Sequence, residues 1–435
     1  MLLSKFGNTQ TDNIEKYIPR ENSSLLTYPV VTLKVKLHLI YRYENDGQNY
    51  TLDSLGLISK QFDWINGFYK HLSPSTLVSQ DSLEHFIPDS RIKYRVDSVL
   101  SYVDAVDWDR IYMGKYSKPL FIDSINRKSK TIYLKRKDYG RINRVDSIIL
   151  NEVVYQILSK KKGVNTSELI LKELPQNIEE IKELYYFRKT DLNCDRYLWE
   201  KYTKRDSNYI HIFYTGSSSQ NIAFGCGPSP YFLNVSNFIK GGDWANAQLL
   251  AHELGHTIGL SHTNYPQFDD LPLKDKFGFI PCDNKLTSNN IMGYNQCRNY
   301  LSPKQVGYVH QLYSEKPERI RITTANEYDA KNTFIIWNDT TWNKSLLVTG
   351  DIVVKKRQVL TINNNIHLSE GSTIFLEKKS KIILNGVTIS NQFNTNWKGI
   401  VFCKSIMNPN KKVRNRKKKG KLTLLNKSRI MNVNS

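Results

Sequence analysis

Between residues 29 and 43 (PVVTLKVKLHLIYRY) apolar and polar positions alternate, with Val31, Leu33, Val35, Leu37, Leu39 and Tyr41 on one side. A period of two predicts a half-buried strand. Over 53–71 the spacing lengthens, and Leu55, Ile58, Phe62, Ile65 and Phe68 fall on one face of a predicted helix. Strand-like stretches return at 91–99 and 209–216. Ile142, Val145, Ile149, Val153 and Ile157 recur every three or four residues and predict a second helix, and 179–189 reads as a third. A Gly/Ser/Asn-rich loop leads to a short segment at 231–239 and then to a helix from about Asp243 to Ile258. Strands interleaved with helices predict an α+β domain over 29–315, preceded by a polar, loosely ordered lead-in at 1–28.

The pattern changes after Pro317. Residues 316–350 read as a linker and the start of a β region. Over 351–403 the chain breaks into short bursts (DIVV, VLTI, IHL, TIFL, KIILNGVTI, GIVF) separated by Gly, Asn, Ser and Lys. No helical period appears. Bursts this short and this regular predict an all-β region over 351–435, either a sandwich or an incomplete β-solenoid.

Composition narrows the classes. The chain has 435 residues, enough for two or three domains, and 40% are hydrophobic, which excludes wholesale disorder. No apolar run approaches the roughly 18 residues of a membrane span, and the first residues do not read as a signal peptide. The net charge of +21 raises nucleic acid as a partner. However, 411–421 (KKVRNRKKKGK) alone holds eight basic residues, and the rest of the excess is dispersed. That pattern favours a lysine-rich solvated surface with one basic loop, able to touch a polyanionic surface, over specific nucleic-acid binding. Of five cysteines, Cys282 and Cys297 lie fifteen positions apart around a turn-rich stretch. In an exported protein they are a candidate disulfide.

One segment carries chemistry: Ala251-His252-Glu253-Leu254-Gly255-His256-Thr257-Ile258-Gly259-Leu260-Ser261-His262. His252 and His256, four apart, project from one helical face, where two imidazoles can share a metal ion. Glu253 is placed to act as a base toward water at that metal. Leu250, Leu254 and Ile258 would anchor the helix in the core. A helix continuing to 262 would carry His262 away, but glycine tolerates the left-handed conformation that ends a helix and turns the chain back. Gly259 therefore lets His262 supply a third nitrogen. Three protein ligands leave open the position that a catalytic zinc needs. Chance would assemble these fixed positions on the order of once in 10⁵ chains of this length, so coincidence is a poor explanation.

HELGHTIGLSH resembles the extended zinc signature of the metzincin metalloproteases, HExxHxxGxxH, and Asn290-Ile291-Met292-Gly293-Tyr294-Asn295 resembles the Met-turn of that family. The nearest subgroup is the pappalysin-like enzymes, although Asp270-Leu271-Pro272 stands where that subgroup carries Asp-Thr-Pro. The resemblance covers about 30–315. It implies a mixed twisted sheet above a cleft, a zinc helix beneath it, and a segment around 222–238 that lines the cleft and pairs with extended substrate. It further implies His252, His256 and His262 as zinc ligands, Glu253 as general base, Met292 as a floor under the metal, and Tyr294 as either an oxyanion or zinc partner or a buried structural tyrosine. Asp269, Asp270, Asp275 and Asp283 make the intervening stretch acidic. Calcium binding, attraction of a basic substrate side chain, and simple solvation are all open for them.

The reading that follows is a zinc-dependent endopeptidase acting on proteins or peptides. The family implies an extracellular or cell-surface location. The alternative is a catalytically silent metzincin scaffold that adheres to surfaces through its basic, β-rich C-terminal region.

Overall fold

A computed structural model describes residues 14–434 except 84–85, 109–118, 143–144, 146, 152, 187–195, 217–222, 241, 273–274, 276–280, 282–284 and 407–418. The alternating stretch at 31–41 becomes strand β1 (Val31–Tyr41), whose Leu33, Val35, Leu37 and Leu39 are fully buried. Helix α1 (Leu55–Lys70) follows and lays Ile58, Phe62 and Ile65 on that apolar face. Strand β2 (Ile92–Val103) returns parallel to β1, with Val31 opposite Ile92.

A second body is inserted next. Strands β3 (Leu120–Asn126), β4 (Thr131–Lys135), β5 (Ser147–Leu150), β6 (Val153–Lys162), β7 (Thr166–Leu171) and β8 (Glu183–Tyr186) close into an antiparallel barrel in the order β3-β4-β7-β6-β5-β8. The barrel has its own core of Leu120, Ile132, Leu134, Ile148, Leu169 and their neighbours. The expected helix over Ile142 to Ile157 is therefore wrong, because a turn at Asn151, with φ of 46°, splits that stretch into the β5–β6 hairpin. Its apparent helical stripe merges residues of two strands: Ile149 is buried while Val153 is 53% exposed. The helix expected at 179–189 is likewise replaced by a 3-10 turn at Ile178–Glu180 and by β8.

The sheet then resumes with β9 (Ile210–Thr215), β10 (Phe224–Cys226) and β11 (Phe232–Ser236), in the order β10-β11-β9-β1-β2. All pairs are parallel except β10–β11, so β10 is an antiparallel edge. Every residue of β9 is buried, as expected of a central parallel strand covered on both faces. Helix α2 (Asp243–Thr257) packs on the same face as α1, with Leu250, Leu254 and Ile258 completely buried. Burial of each such side chain contributes about 1.5–3 kcal/mol. Helix α3 (Pro303–Glu315) starts on a capping box between Ser302 and Gln305. The lead-in is not loose from residue 14 onward: Ile14 and Ile18 press against Gly307 of α3, where an added Cβ would come within 2.9 Å of both, and the Tyr17 hydroxyl donates to Glu315 at 2.7 Å.

The remaining chain coils. The first strand is Phe334–Ile336, inside the 316–350 stretch read as linker and start of the β region. Three parallel four-stranded sheets follow, and each strand pairs with the third one after it. Inward-facing Leu360, Ile362, Ile382, Leu384, Ile389 and Trp397 belong to one continuous core. At one corner the side chains of Asn343, Asn363, Asn385 and Asn426 hydrogen-bond in a ladder of 2.8, 3.2 and 2.5 Å. The coil joins the sheet through Lys34 N to Ile322 O and Thr324 N to Thr32 O. The protein is thus a mixed α+β molecule with several sheets, few helices and an all-β C-terminal region. Among the described residues, no helix is long and apolar enough to cross a membrane.

Candidate active site

Helix α2 ends at Thr257, and Gly259 takes a φ of +93°. Its N–H donates to His256 O, and the N–H of Leu260 reaches back to Gly255 O at 3.1 Å. This left-handed closure turns the chain so that His262 faces the helix it has just left. His262 Nε2 lies 3.1 Å from His252 Nε2 and 2.8 Å from His256 Nε2.

The opposite nitrogens are held by carbonyls. His252 Nδ1 donates to Ile291 O at 2.8 Å and His256 Nδ1 to Leu260 O at 2.9 Å. Those bonds assign the proton to Nδ1 and leave each Nε2 lone pair turned inward, the arrangement of metal-ligating histidines. Burial lowers the pKa of all three imidazoles, with His262 brought to about 4, so they are neutral at physiological pH. The three imidazoles bring ligand nitrogens within 4.8 Å of one another, two of them with inward lone pairs fixed by carbonyls, so this group could hold a metal ion. Among the described residues, no second group of three or more His, Cys, Asp or Glu side chains converges in this way.

The sequence-derived neighbours gather around this group. Met292 is fully buried under α2, and a Cβ on Gly255 would stand 2.2 Å from its Sδ. Glycine at 255 is what admits the methionine. The backbone that carries Met292 also orients His252 through Ile291 O. The Tyr294 hydroxyl, half-buried, lies 3.1 and 3.2 Å from the two ring nitrogens of His262. Glu253 is buried, and burial pushes its carboxyl up to about 7 against an opposing pull from Arg298 and a backbone hydrogen bond from Gly227.

Three features were missed by the sequence reading. Gly225 of edge strand β10 lies against Glu253, so that a Cβ there would stand 2.6 Å from Glu253 Cγ. Gly227 is equally close to the helix backbone, where a Cβ would stand 2.4 Å from Glu253 O. Two glycines two positions apart, one in a strand and one just past its end, mark close approach, and this signal was available. Arg298 had no local signal. It is 4% exposed, with a left-handed φ of 39°, and its Nη1 donates to Gln248 O at 2.9 Å. Together β10, α2, the three histidines, Tyr294 and Arg298 bound a cleft of about 770 Å³.

The acidic stretch behaves otherwise. Asp270 accepts from Ser302 Oγ and Lys304 N, both at 2.7 Å, at the start of α3. Asp269 pairs with Lys304 Nζ at 2.6 Å, and Asp275 accepts from the hydroxyl and the N–H of Ser288. These three carboxylates serve the local backbone and its neighbours. Asp283 and Cys282 lie outside the described residues, as do 411–418 of the basic loop. Cys297, the expected partner of Cys282, is disulfide-bonded, as is Cys226 on the edge strand, whereas Cys403 is a free, buried thiol.

No family model and no curated protein sequence matches the chain. Among solved structures it is similar to mirolysin in complex with compound 9, at a TM-score of 0.33 and 9% identity, over 68% of this chain and 97% of that one. A likeness this remote carries no argument about activity, which has to be read from the site.

Proposed function

We propose that the protein is a zinc-dependent endopeptidase of the metzincin type, nearest the pappalysin-like enzymes. The observation that carries the reading is the convergence of three neutral Nε2 atoms beside a buried carboxylate in a cleft edged by a strand. His252, His256 and His262 would hold the metal. A zinc ion bound there supplies Lewis acidity toward a carbonyl and acidifies water.

The chain's own residues account for the rest. Among the described residues, strand β10 pairs with β11 on one side only, so an extended peptide can add to its outer edge. Glu253, with its proton affinity raised by burial, accepts a proton from the attacking water and returns it to the departing amine. The Tyr294 hydroxyl, beside His262, is read as the donor to the oxygen on which charge develops. Two disulfide-bonded cysteines support an oxidising, extracellular or cell-surface setting. The coiled C-terminal region is read as a β-solenoid appendage.

The test is cleavage of a denatured protein by zinc-loaded enzyme beside Glu253→Ala, with peptides read by mass spectrometry. We expect the variant to lose roughly 10³-fold in turnover while keeping one zinc per chain. Equal activity in both would sink the mechanism. No cleavage by zinc-loaded wild type would favour the scaffold reading.

A further inference from the structure

We infer that Arg298 makes this cleft selective for an acidic side chain next to the scissile bond. The inference rests on the peptidase reading and adds the chemistry of the substrate. Arg298 lines the same cavity as the three histidines and Glu253. Its guanidinium is buried against α2, one helical turn before His252, where Gln248 O takes one N–H. Among the described residues, Arg298 Nε has no hydrogen-bond partner and no carboxylate lies within ion-pair reach of the guanidinium.

A buried cation with an unmet donor is costly unless something satisfies it. Anchoring to one helix carbonyl needs a single N–H, whereas a guanidinium offers five in a fixed fork suited to a carboxylate. Glu253 is the nearby acid, and its field acts on Arg298, but it forms no ion pair with it. No described residue completes the site, and the guanidinium faces a cleft that a substrate group can enter.

The backbone supports a built position. Arg298 sits at φ 39°, a conformation that L-residues other than Asn and Asp seldom adopt. It is held there on several sides. Asn295 Oδ1 accepts from the N–H groups of both Cys297 and Arg298, Cys297 is disulfide-bonded, and the next residue's N–H bonds Asn289 O. Strain maintained by so many constraints is a feature of functional positions. An aspartate or glutamate side chain of a peptide lying along β10 would reach this guanidinium and be desolvated against Leu249 and Ala245 of α2.

The experiment compares pairs of otherwise identical peptides that carry Glu or Gln beside the cleaved bond, using zinc-loaded full chain. We expect kcat/KM to favour Glu by roughly 10- to 100-fold, the range of one charge-assisted hydrogen-bonded pair. In Arg298→Asn, whose side chain tolerates the left-handed backbone, the ratio should fall to near one; Arg298→Gln serves as a second variant. Taking the ratio cancels any general effect of the arginine on Glu253. Cleavage with no preference in wild type, or with the same preference in folded variants, would overturn the inference and leave the peptidase reading intact. If wild type cuts neither peptide, binding of the same pair to zinc-loaded protein by fluorescence anisotropy decides. Tighter binding of the Glu peptide that is lost in Arg298→Asn would uphold the acidic site without peptidase activity, and equal binding would overturn it.

Discussion

In the coil, buried aliphatic side chains stack on one another from turn to turn. Leu360 is in register with Ile382, and Ile362 with Leu384. The same asparagine ladder runs up one corner. In the cleft nothing repeats. One glycine is held at φ +93°, one arginine at 39°, three imidazoles converge, and among the described residues no cation bonds the buried carboxylate of Glu253. The coil gains stability by repeating contacts that any neighbouring turn could supply. The cleft sets polar groups against each other and relies on the surrounding core to hold them. The comparison implies that substitutions in the coil change stability and leave chemistry alone, whereas substitutions in the cleft do the reverse.

Three measurements would break or sharpen that contrast. The largest effect is expected from Leu384→Ala in the coil, where a fully buried side chain is removed from a tight stack. About 2–5 kcal/mol of stability should be lost in denaturant unfolding, with peptide cleavage under native conditions unchanged. A parallel loss of cleavage would mean that the coil shapes the cleft.

Gly225→Val should act the other way. The new side chain would strike Glu253 Cγ and move the carboxylate, so kcat/KM should fall about 100-fold with zinc content unchanged. A large drop in melting temperature with little kinetic change would contradict the contrast.

The smallest effect concerns acid. His367 is the one histidine of the coil sequence, fully enclosed, with its Nδ1 accepting from Gln392 N and its Nε2 facing Ala325 O. Burial lowers its pKa to about 4, below the ordinary 6.5. Between those values the unfolded chain binds the proton more readily, so this contribution is complete above about pH 6.5 and declines as pH falls toward 4. Near pH 5 the coil should have lost about 2 kcal/mol, and His367→Gln should flatten that slope in pH-dependent unfolding.

The sequence made the cleft more legible than the fold around it. Metal ligation fixes residue type and spacing, so His252, His256, Gly259, His262 and Met292 were all named beforehand, and the structure brings them together. Strands β1 and β9 were visible because one or both faces are buried over long runs, and β2 because Ile92 and Tyr94 alternate with exposed or half-buried neighbours at its start. The barrel was not, because a two-residue turn at Asn151 let apolar positions from two strands imitate one helical stripe. The coil showed as bursts, but its clearest marker, the asparagines at 343, 363, 385 and 426, passed unread because the last interval is nearly double the others. Arg298 could not have been found by pattern. Its position in the cleft depends on the fold of a turn held by Asn295 and a disulfide, and no periodicity encodes that.

The inserted barrel has a kinetic consequence. Its first and last strands pair, Leu120 opposite Leu184, so the barrel's own entry and exit lie side by side. Joining β1 to β9, Val35 to Ile210, requires closing a loop of roughly 170 residues. Folding the barrel first shortens the effective loop to roughly 110, yet closure entropy grows only with the logarithm of length, so the gain is about 0.4 kcal/mol, or about two-fold in rate. The connection between β2 and β9 is therefore a socket: a module of this size can be gained, lost or exchanged there with little effect on how quickly the five-stranded sheet assembles.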